Sequence, residues 1–107
     1  AGWTVEIEWA RVPLLPAAAD MARRGLVTGA SGRNWSAYGS EVRLPEGFAA
    51  ADQALFTDPQ TSGGLLVACA PEGEAAEIEV FRRHGFAHAA RVGRVTAPQE
   101  GARLVVR

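Results

Sequence analysis

The chain has 107 residues, of which 48% are hydrophobic and 21% charged, and its formal net charge is −1 with a pI near 6.1. These values are typical of one small globular domain, and they exclude a disordered chain and a polybasic surface for nucleic acid or membrane. The single cysteine excludes an intrachain disulfide and fits the reducing cytoplasm.

The chain begins with an alternation of large apolar and polar residues over 3–9, which predicts a strand with a buried apolar face and a wet polar face. The apolar positions are Trp3, Val5, Ile7 and Trp9, and the polar positions are Thr4, Glu6 and Glu8. A helix should follow, because Pro16 suits a first helical position and Gly25 a left-handed stop. Leu26 would then pack back on Met21.

The middle of the chain has weaker patterns. Val27–Ser40 has no clear period, so we expect a long loop with a helical turn around Asn34–Tyr38. Glu41–Leu44 could form a short strand, and the alanine-rich stretch Ala49–Leu55 indicates a short helix.

Leu65–Ala70 is apolar on both faces, which predicts a central strand covered on both sides. Glu72–His84 carries acidic residues at its start and basic residues at its end, as a helix favours. Gly85 should end this helix, and Phe86 should fold back onto Phe81.

The last residues indicate two strands, Ala89–Thr96 with a possible bulge at Gly93, and Ala102–Val106. Ala97–Gly101 between them is typical of a hairpin loop. Together the elements predict an α/β (α+β) fold with helices packed against a mixed sheet, in one domain over residues 1–107.

The turn Asp58–Gly64 is the stretch most suggestive of chemistry. Pro59 lacks an N–H, while Gly63 and Gly64 can adopt positive φ. Thr61 and Ser62 add two hydroxyls, so exposed N–H and O–H groups would suit an anionic oxygen, as in phosphate loops. The alternative is a tight turn that only reverses the chain.

Other reactive residue types have simpler explanations. Cys69 lies in the apolar run, where a thiol behaves as a small hydrophobe. His84 and His88 have the spacing of a helical metal pair, but Gly85 interrupts the helix between them, so we predict no metal site. Arg33 and Asn34 are the polar candidates of the Val27–Ser40 loop.

The string Asp-Pro-Gln-Thr-Ser-Gly-Gly-Leu-Leu at 58–66 resembles the signature of the carboxy-terminal domain of the selenophosphate synthetase (selenide, water dikinase) family. That family is part of the aminoimidazole ribonucleotide synthetase-like superfamily. Upstream, Gly25–Gly29 and Gly32–Asn34 fit the same pattern. Ala30 and Ser31 stand where the family pattern has glycine and threonine.

The resemblance implies the carboxy-terminal part of an enzyme that makes selenophosphate from selenide, ATP and water. ATP, Mg2+ and the catalytic residues would belong to a missing amino-terminal part, and the full-length enzyme would be a cytoplasmic homodimer. We expect this part to bind no metal or cofactor alone and to be inactive alone. It would form part of one wall of the active-site cleft, through the loops at Thr28–Asn34 and Asp58–Gly64. The ligand- or phosphate-contacting candidates are Gly29, Ser31, Arg33, Asn34, Asp58, Gln60, Thr61, Ser62, Gly63 and Gly64.

Two alternatives remain open: a non-catalytic module that binds an anion or a protein, and the equivalent domain of a related ATP-dependent synthetase or kinase. As an incomplete domain, the chain should also expose an apolar patch, because the first strand is apolar on one face and too few helices are present to cover Leu65–Ala70 on both faces. It should then self-associate or stay bound to the rest of its parent.

Overall fold

Four short strands form one mixed sheet in the computed structural model, which describes residues 2–107. The strands are β1 (Thr4–Ile7), β2 (Val42–Arg43), β3 (Gly93–Thr96) and β4 (Leu104–Val106). The helices are α1 (Pro16–Arg23), α2 (Gly29–Tyr38), α3 (Ala50–Phe56) and α4 (Glu74–Arg83). The mixed sheet with helices confirms the predicted fold class.

The sheet order is β2-β4-β1-β3, with β1 antiparallel to β3 and parallel to β4. The predicted hairpin between the last two strands is therefore wrong, because β1 lies between them. The strands are also shorter than predicted, and residue 9 lies in a 3-10 turn after β1.

The burial of β1 differs from the alternation prediction, because the polar face is buried as well as Ile7 on the apolar face. Thr4 and Glu6 on the polar face are 1% and 5% exposed, whereas Trp3 on the apolar face is 63% exposed. Trp9 is half-buried and packs edge-on against Phe48 and Phe56. The polar face is buried because its groups find partners in neighbouring segments.

Glu6 is the main example of such a partnered group. Arg94 Nε and Nη2 donate to Glu6 Oε2 at 2.8 and 2.7 Å. Arg107 Nη2 and Gln99 Nε2 donate to Glu6 Oε1 at 2.9 and 3.0 Å. Thr4 is satisfied in the same way, since its hydroxyl donates to Ala102 O and accepts from Gln99 N. Long polar side chains thus cover this face.

Both predicted helix ends are confirmed. Gly25 has a φ of 78°, and the Leu26 N–H donates to Met21 O at 2.9 Å. Gly85 has a φ of 89°, and the rings of Phe81 and Phe86 lie 6.2 Å apart, edge to face. Such endings are local, so the sequence alone can specify them.

Three further expectations differ from the structure. The prediction of a long loop over Val27–Ser40 is wrong, since most of this stretch forms α2. The central strand at Leu65–Ala70 is absent among the described residues, and this stretch is exposed and irregular. Cys69 is accordingly exposed, not buried in a strand. The pairing of β3 with β1 is in continuous register at Gly93, so no bulge forms there.

None of the helices described in residues 2–107 has both the length and the apolar composition needed to span a membrane.

We predict that Glu6 makes stability depend on pH in the acid range. The guanidinium of Arg107, then that of Arg94, lowers the pKa of Glu6 from the ordinary 4.5 to about 2. The stability that Glu6 contributes is therefore fully present above pH 4.5 and is lost as the pH falls towards 2. The melting temperature of Glu6→Gln should fall less steeply than that of the wild type in this window.

Glu46→Gln is the matched control, because Glu46 is exposed and makes no ion pair with any residue from 2 to 107. Its melting temperature should fall with decreasing pH as steeply as that of the wild type. If the melting temperatures of the wild type and Glu6→Gln fell equally steeply with decreasing pH, the role assigned to Glu6 would be contradicted.

A second prediction concerns the close approach of β1 and β3. A Cβ at Gly93 would overlap the Glu6 carbonyl oxygen, which is backbone and cannot rotate away. Gly93→Ala should therefore lower the free energy of unfolding by about 2–3 kcal/mol. Gly32→Ala, inside α2 and with no atom within 4 Å of the new Cβ, should instead raise it, by about 0.5–1 kcal/mol. Denaturant melts measure both, and a neutral Gly93→Ala would refute the account.

Candidate functional site

The two candidate segments, which lie about thirty residues apart in the sequence, meet in the structure. Thr28 Oγ1, immediately before α2, donates to Asp58 Oδ1 at 3.3 Å. Asn34 Nδ2 in α2 donates to Thr57 O at 2.8 Å. The first turns of α2 and the start of the glycine-rich turn therefore form one continuous surface.

Tertiary hydrogen bonds explain why α2 forms despite two glycines and no side-chain cap at Thr28. Ser31 is 4% exposed, and its hydroxyl donates to Ala54 O in α3 at 3.1 Å. The Thr28 and Ser31 hydroxyls also lie 3.2 Å apart. These bonds add to the packing of α2 on α3 and offset the cost of glycine inside a helix.

The glycine-rich turn is held by short-range contacts. Gln60 Nε2 donates to Asp58 Oδ2 at 3.3 Å, so each Asp58 carboxylate oxygen accepts one hydrogen bond. Neither Gly63 nor Gly64 has a positive φ, so the turn does not use the conformational freedom that these glycines offer. At Gly63 a Cβ would come within 2.7 Å of the Gln60 Cβ, whereas at Gly64 it would meet no atom within 4 Å. The need for glycine at position 63 is thus explained, because a side chain there would clash with that of Gln60.

The ten predicted site residues fall into two groups. One group has hydrogen-bond partners inside the chain and links the segments: Ser31, Asn34, Asp58 and Gln60. The other group is exposed, and its side chains have no hydrogen bond or ion pair with any residue from 2 to 107: Gly29, Arg33, Thr61, Ser62, Gly63 and Gly64. Ligand contact by any of the ten stays a prediction.

Two residues of this junction, Thr28 and Thr57, are not among the ten predicted contact residues. Thr28 bonds Asp58, and Thr57 offers its carbonyl to Asn34 while its hydroxyl donates to Gln53 O at 2.8 Å. The sequence signals were that Thr28 lies within the family-like stretch Gly25–Gly29 and that Thr57 directly precedes Asp58.

An open depression of about 380 Å3 lies beside the junction. It is lined by Asn34, Trp35, Tyr38, Gly39, Val42, Phe56, Thr57, Asp58 and Leu104. The depression therefore joins the sheet edge at β2 and β4 to the start of the glycine-rich turn. Residues 2–107 bring together no group of three or more His, Cys, Asp and Glu side chains that would suit a metal ion.

Comparison with known proteins places this geometry in a family context. The family model described as AIR synthase related protein, C-terminal domain, matches residues 3–106. The chain is 52% identical over 93 residues to a selenide, water dikinase of Burkholderia pseudomallei (strain K96243), covering 87% of the chain and 26% of the relative.

Two more relatives carry the same name. The chain is 43% identical over 101 residues to the protein of Dechloromonas aromatica (strain RCB), covering 94% of the chain and 29% of the relative. It is 49% identical over 86 residues to that of Rhizobium meliloti (strain 1021), covering 80% of the chain and 25% of the relative. The chain thus spans about a quarter of the length of the curated relatives it matches.

We predict different stability effects at two adjacent polar residues. Asn34→Ala leaves the half-buried Thr57 carbonyl without its donor, so the free energy of unfolding should fall by about 1–2 kcal/mol. Arg33→Ala removes an exposed side chain that pairs with nothing from 2 to 107, so it should change stability by less than about 0.5 kcal/mol. Urea denaturation of both variants measures these changes. Equal decreases in the free energy of unfolding would show that the Asn34 side chain does not stabilise the junction of the two segments.

Proposed function

Because the chain belongs to the AIR synthase related proteins and carries their C-terminal domain over residues 3–106, we propose that it is the carboxy-terminal part of a selenide, water dikinase. The whole enzyme would make selenophosphate from selenide, ATP and water. The identity of 52% over 93 residues with a protein of that name supports this assignment over a related synthetase or kinase.

The observation that carries a role in the active-site cleft is the direct bonding of the two candidate segments, Thr28 to Asp58 and Asn34 to Thr57. A surface assembled from two distant segments can contact a ligand from two sides at once. In this proposal the linked residues position the surface and the exposed residues contact the ligand.

The exposed residues offer the chemistry that a phosphate-bearing ligand needs. Arg33 is a fixed cation with five N–H donors, and it makes no ion pair with the described residues. Thr61 and Ser62 add two exposed hydroxyls, and the backbone N–H of Gly64 has no backbone partner among residues 2–107. Such donors bind and orient anionic oxygens.

Mg2+ and ATP would be held largely outside this chain. Mg2+ binds oxygen ligands, usually carboxylates and phosphates, and residues 2–107 bring together no group of three or more His, Cys, Asp and Glu side chains that could hold a metal ion. The described residues do not fit a magnesium centre, so no step of the proposal passes through a metal on this chain.

The partner that this role requires is the part of the enzyme corresponding to the other three quarters of the relatives' length. That part would supply the ATP site and the catalytic groups, and the assembled enzyme would be a homodimer. An exposed free thiol at Cys69 fits a reducing compartment such as the cytoplasm.

A chimera tests the proposal. The matching quarter of the Burkholderia pseudomallei relative is replaced by this chain, and selenide-dependent AMP formation from ATP is measured. We expect the chimera to be active and the 107-residue chain alone to form no AMP. A folded but inactive chimera, or activity of the chain alone, would refute the assignment.

The same chimera tests the ligand surface. Thr61→Ala with Ser62→Ala should leave the melting temperature unchanged, because both hydroxyls are exposed and unbonded within residues 2–107, but it should raise the KM for ATP severalfold. Ser40→Ala, another exposed hydroxyl, is the control and should leave KM unchanged. Wild-type kinetics in the double variant would return the turn to a purely structural role.

A further inference from the structure

A second open depression, of about 410 Å3, lies beside Glu6 and Glu8, and three of the side chains that line it are arginines. Arg94 belongs to β3, Arg107 follows β4, and Arg11 lies in the 3-10 turn after β1. This depression shares no lining residue with the one beside the candidate site. Guanidiniums from three segments therefore surround a space that the proposed function does not use.

Glu6 fixes two of these arginines in place. Its side chain is buried, and each carboxylate oxygen has two donor atoms within 3.0 Å, from Arg94 on Oε2 and from Arg107 and Gln99 on Oε1. Four donors occupy the acceptor sites of a carboxylate. Glu6 therefore holds the two guanidiniums at defined positions and has no acceptor site left for a further donor.

Positive charge exceeds negative charge among the side chains that line the depression. Three guanidiniums face two carboxylates, and Glu8 Oε2 lies 3.4 Å from Arg11 Nη1. Glu6 carries one negative charge and bonds two guanidiniums, so one positive charge is not balanced by these side chains. A cleft with an excess of one sign of charge attracts ions of the opposite sign.

Several N–H groups of the same guanidiniums have no hydrogen-bond partner among residues 2–107. Arg94 uses Nε and Nη2, Arg107 uses Nη2, and Arg11 uses Nη1. The remaining donors are Nη1 of Arg94, Nε and Nη1 of Arg107, and Nε and Nη2 of Arg11. All three side chains are exposed, so a solute can reach these groups.

A tetrahedral oxyanion suits this arrangement better than a carboxylate does. A carboxylate has two oxygens in one plane, and the fork of a single arginine can bond both. Phosphate has oxygens that point in several directions, so it can accept hydrogen bonds from guanidiniums that belong to different segments. Phosphate also carries more negative charge than a carboxylate at neutral pH.

We propose that the depression bounded by Arg11, Arg94 and Arg107 is a binding site for a small tetrahedral oxyanion such as phosphate. The three guanidiniums donate to the anion, and Glu6 is a positioning residue that does not touch it. The site goes beyond the proposed function and does not depend on it.

NMR of the arginine Nε–H groups in the 107-residue chain tests the site, with inorganic phosphate as the probe and sodium chloride used to keep the ionic strength constant. The signals of Arg11, Arg94 and Arg107 should move and saturate, with a dissociation constant on the order of 1 mM. Arg24, which is exposed and lies outside the depression, should not respond. Equal responses of all four arginines, or saturation by acetate at the same concentrations, would overturn the proposal.

The variants are made at the exposed pair Arg11 and Glu8, because replacing Arg94 or Arg107 would also remove a partner of the buried Glu6. Arg11→Gln should raise the dissociation constant for phosphate about threefold or more, since one cationic donor is lost. Glu8→Gln should lower it by a similar factor, since it removes a negative charge and releases Arg11 Nη1.

Arg24→Gln is the matched control, because Arg24 also forms an exposed ion pair within its own segment, with Asp20. It should leave the dissociation constant unchanged, and all three variants should melt close to the wild-type temperature. If Arg11→Gln and Glu8→Gln change phosphate binding no more than Arg24→Gln does, the anion does not bind in this depression and the proposal is overturned.

Discussion

The Glu6 carboxylate is the interaction on which the sheet depends. It lies on the central strand β1, and its partners come from β3 (Arg94), from the residue after β4 (Arg107) and from the connection between them (Gln99). One buried carboxylate therefore joins segments about ninety to a hundred residues apart in the chain. Because two guanidiniums and an amide satisfy its oxygens, the charge is buried without an unpaired partner.

The position of the candidate site follows from this sheet order. With β1 in the centre, β4 and β2 form one edge, and Val42 and Leu104 on that edge line the depression together with Phe56 of α3. Since α3 leads directly into Thr57 and Asp58, the packing of α3 at this edge sets where the glycine-rich turn begins. The hydrogen bonds from Thr28 and Asn34 then bring α2 to the same place.

Much of the fold could be predicted where the cause is local. The ends of α1 and α4 follow from Gly25 and Gly85, and the string at 58–66 identified the family without any geometry. Features that depend on distant partners could not be predicted. The helix α2 needs Ser31 and Asn34 to reach α3 and Thr57, and the buried polar face of β1 needs Arg94 and Arg107. Likewise, the apolar run Leu65–Ala70 has the composition of a strand, but none of the described strands pairs with it.

Direct titration of Glu6 in the 107-residue chain is the sharpest test of this account, because its central claim is that one paired carboxylate organises the sheet. Carbon-13 NMR of the labelled side-chain carboxyl reports the protonation of that group alone. The account predicts a pKa of about 2 for Glu6 in the folded chain, lowered by Arg107 and Arg94. A midpoint at the ordinary 4.5 while the chain stays folded would show that these pairs do not form and would contradict the account.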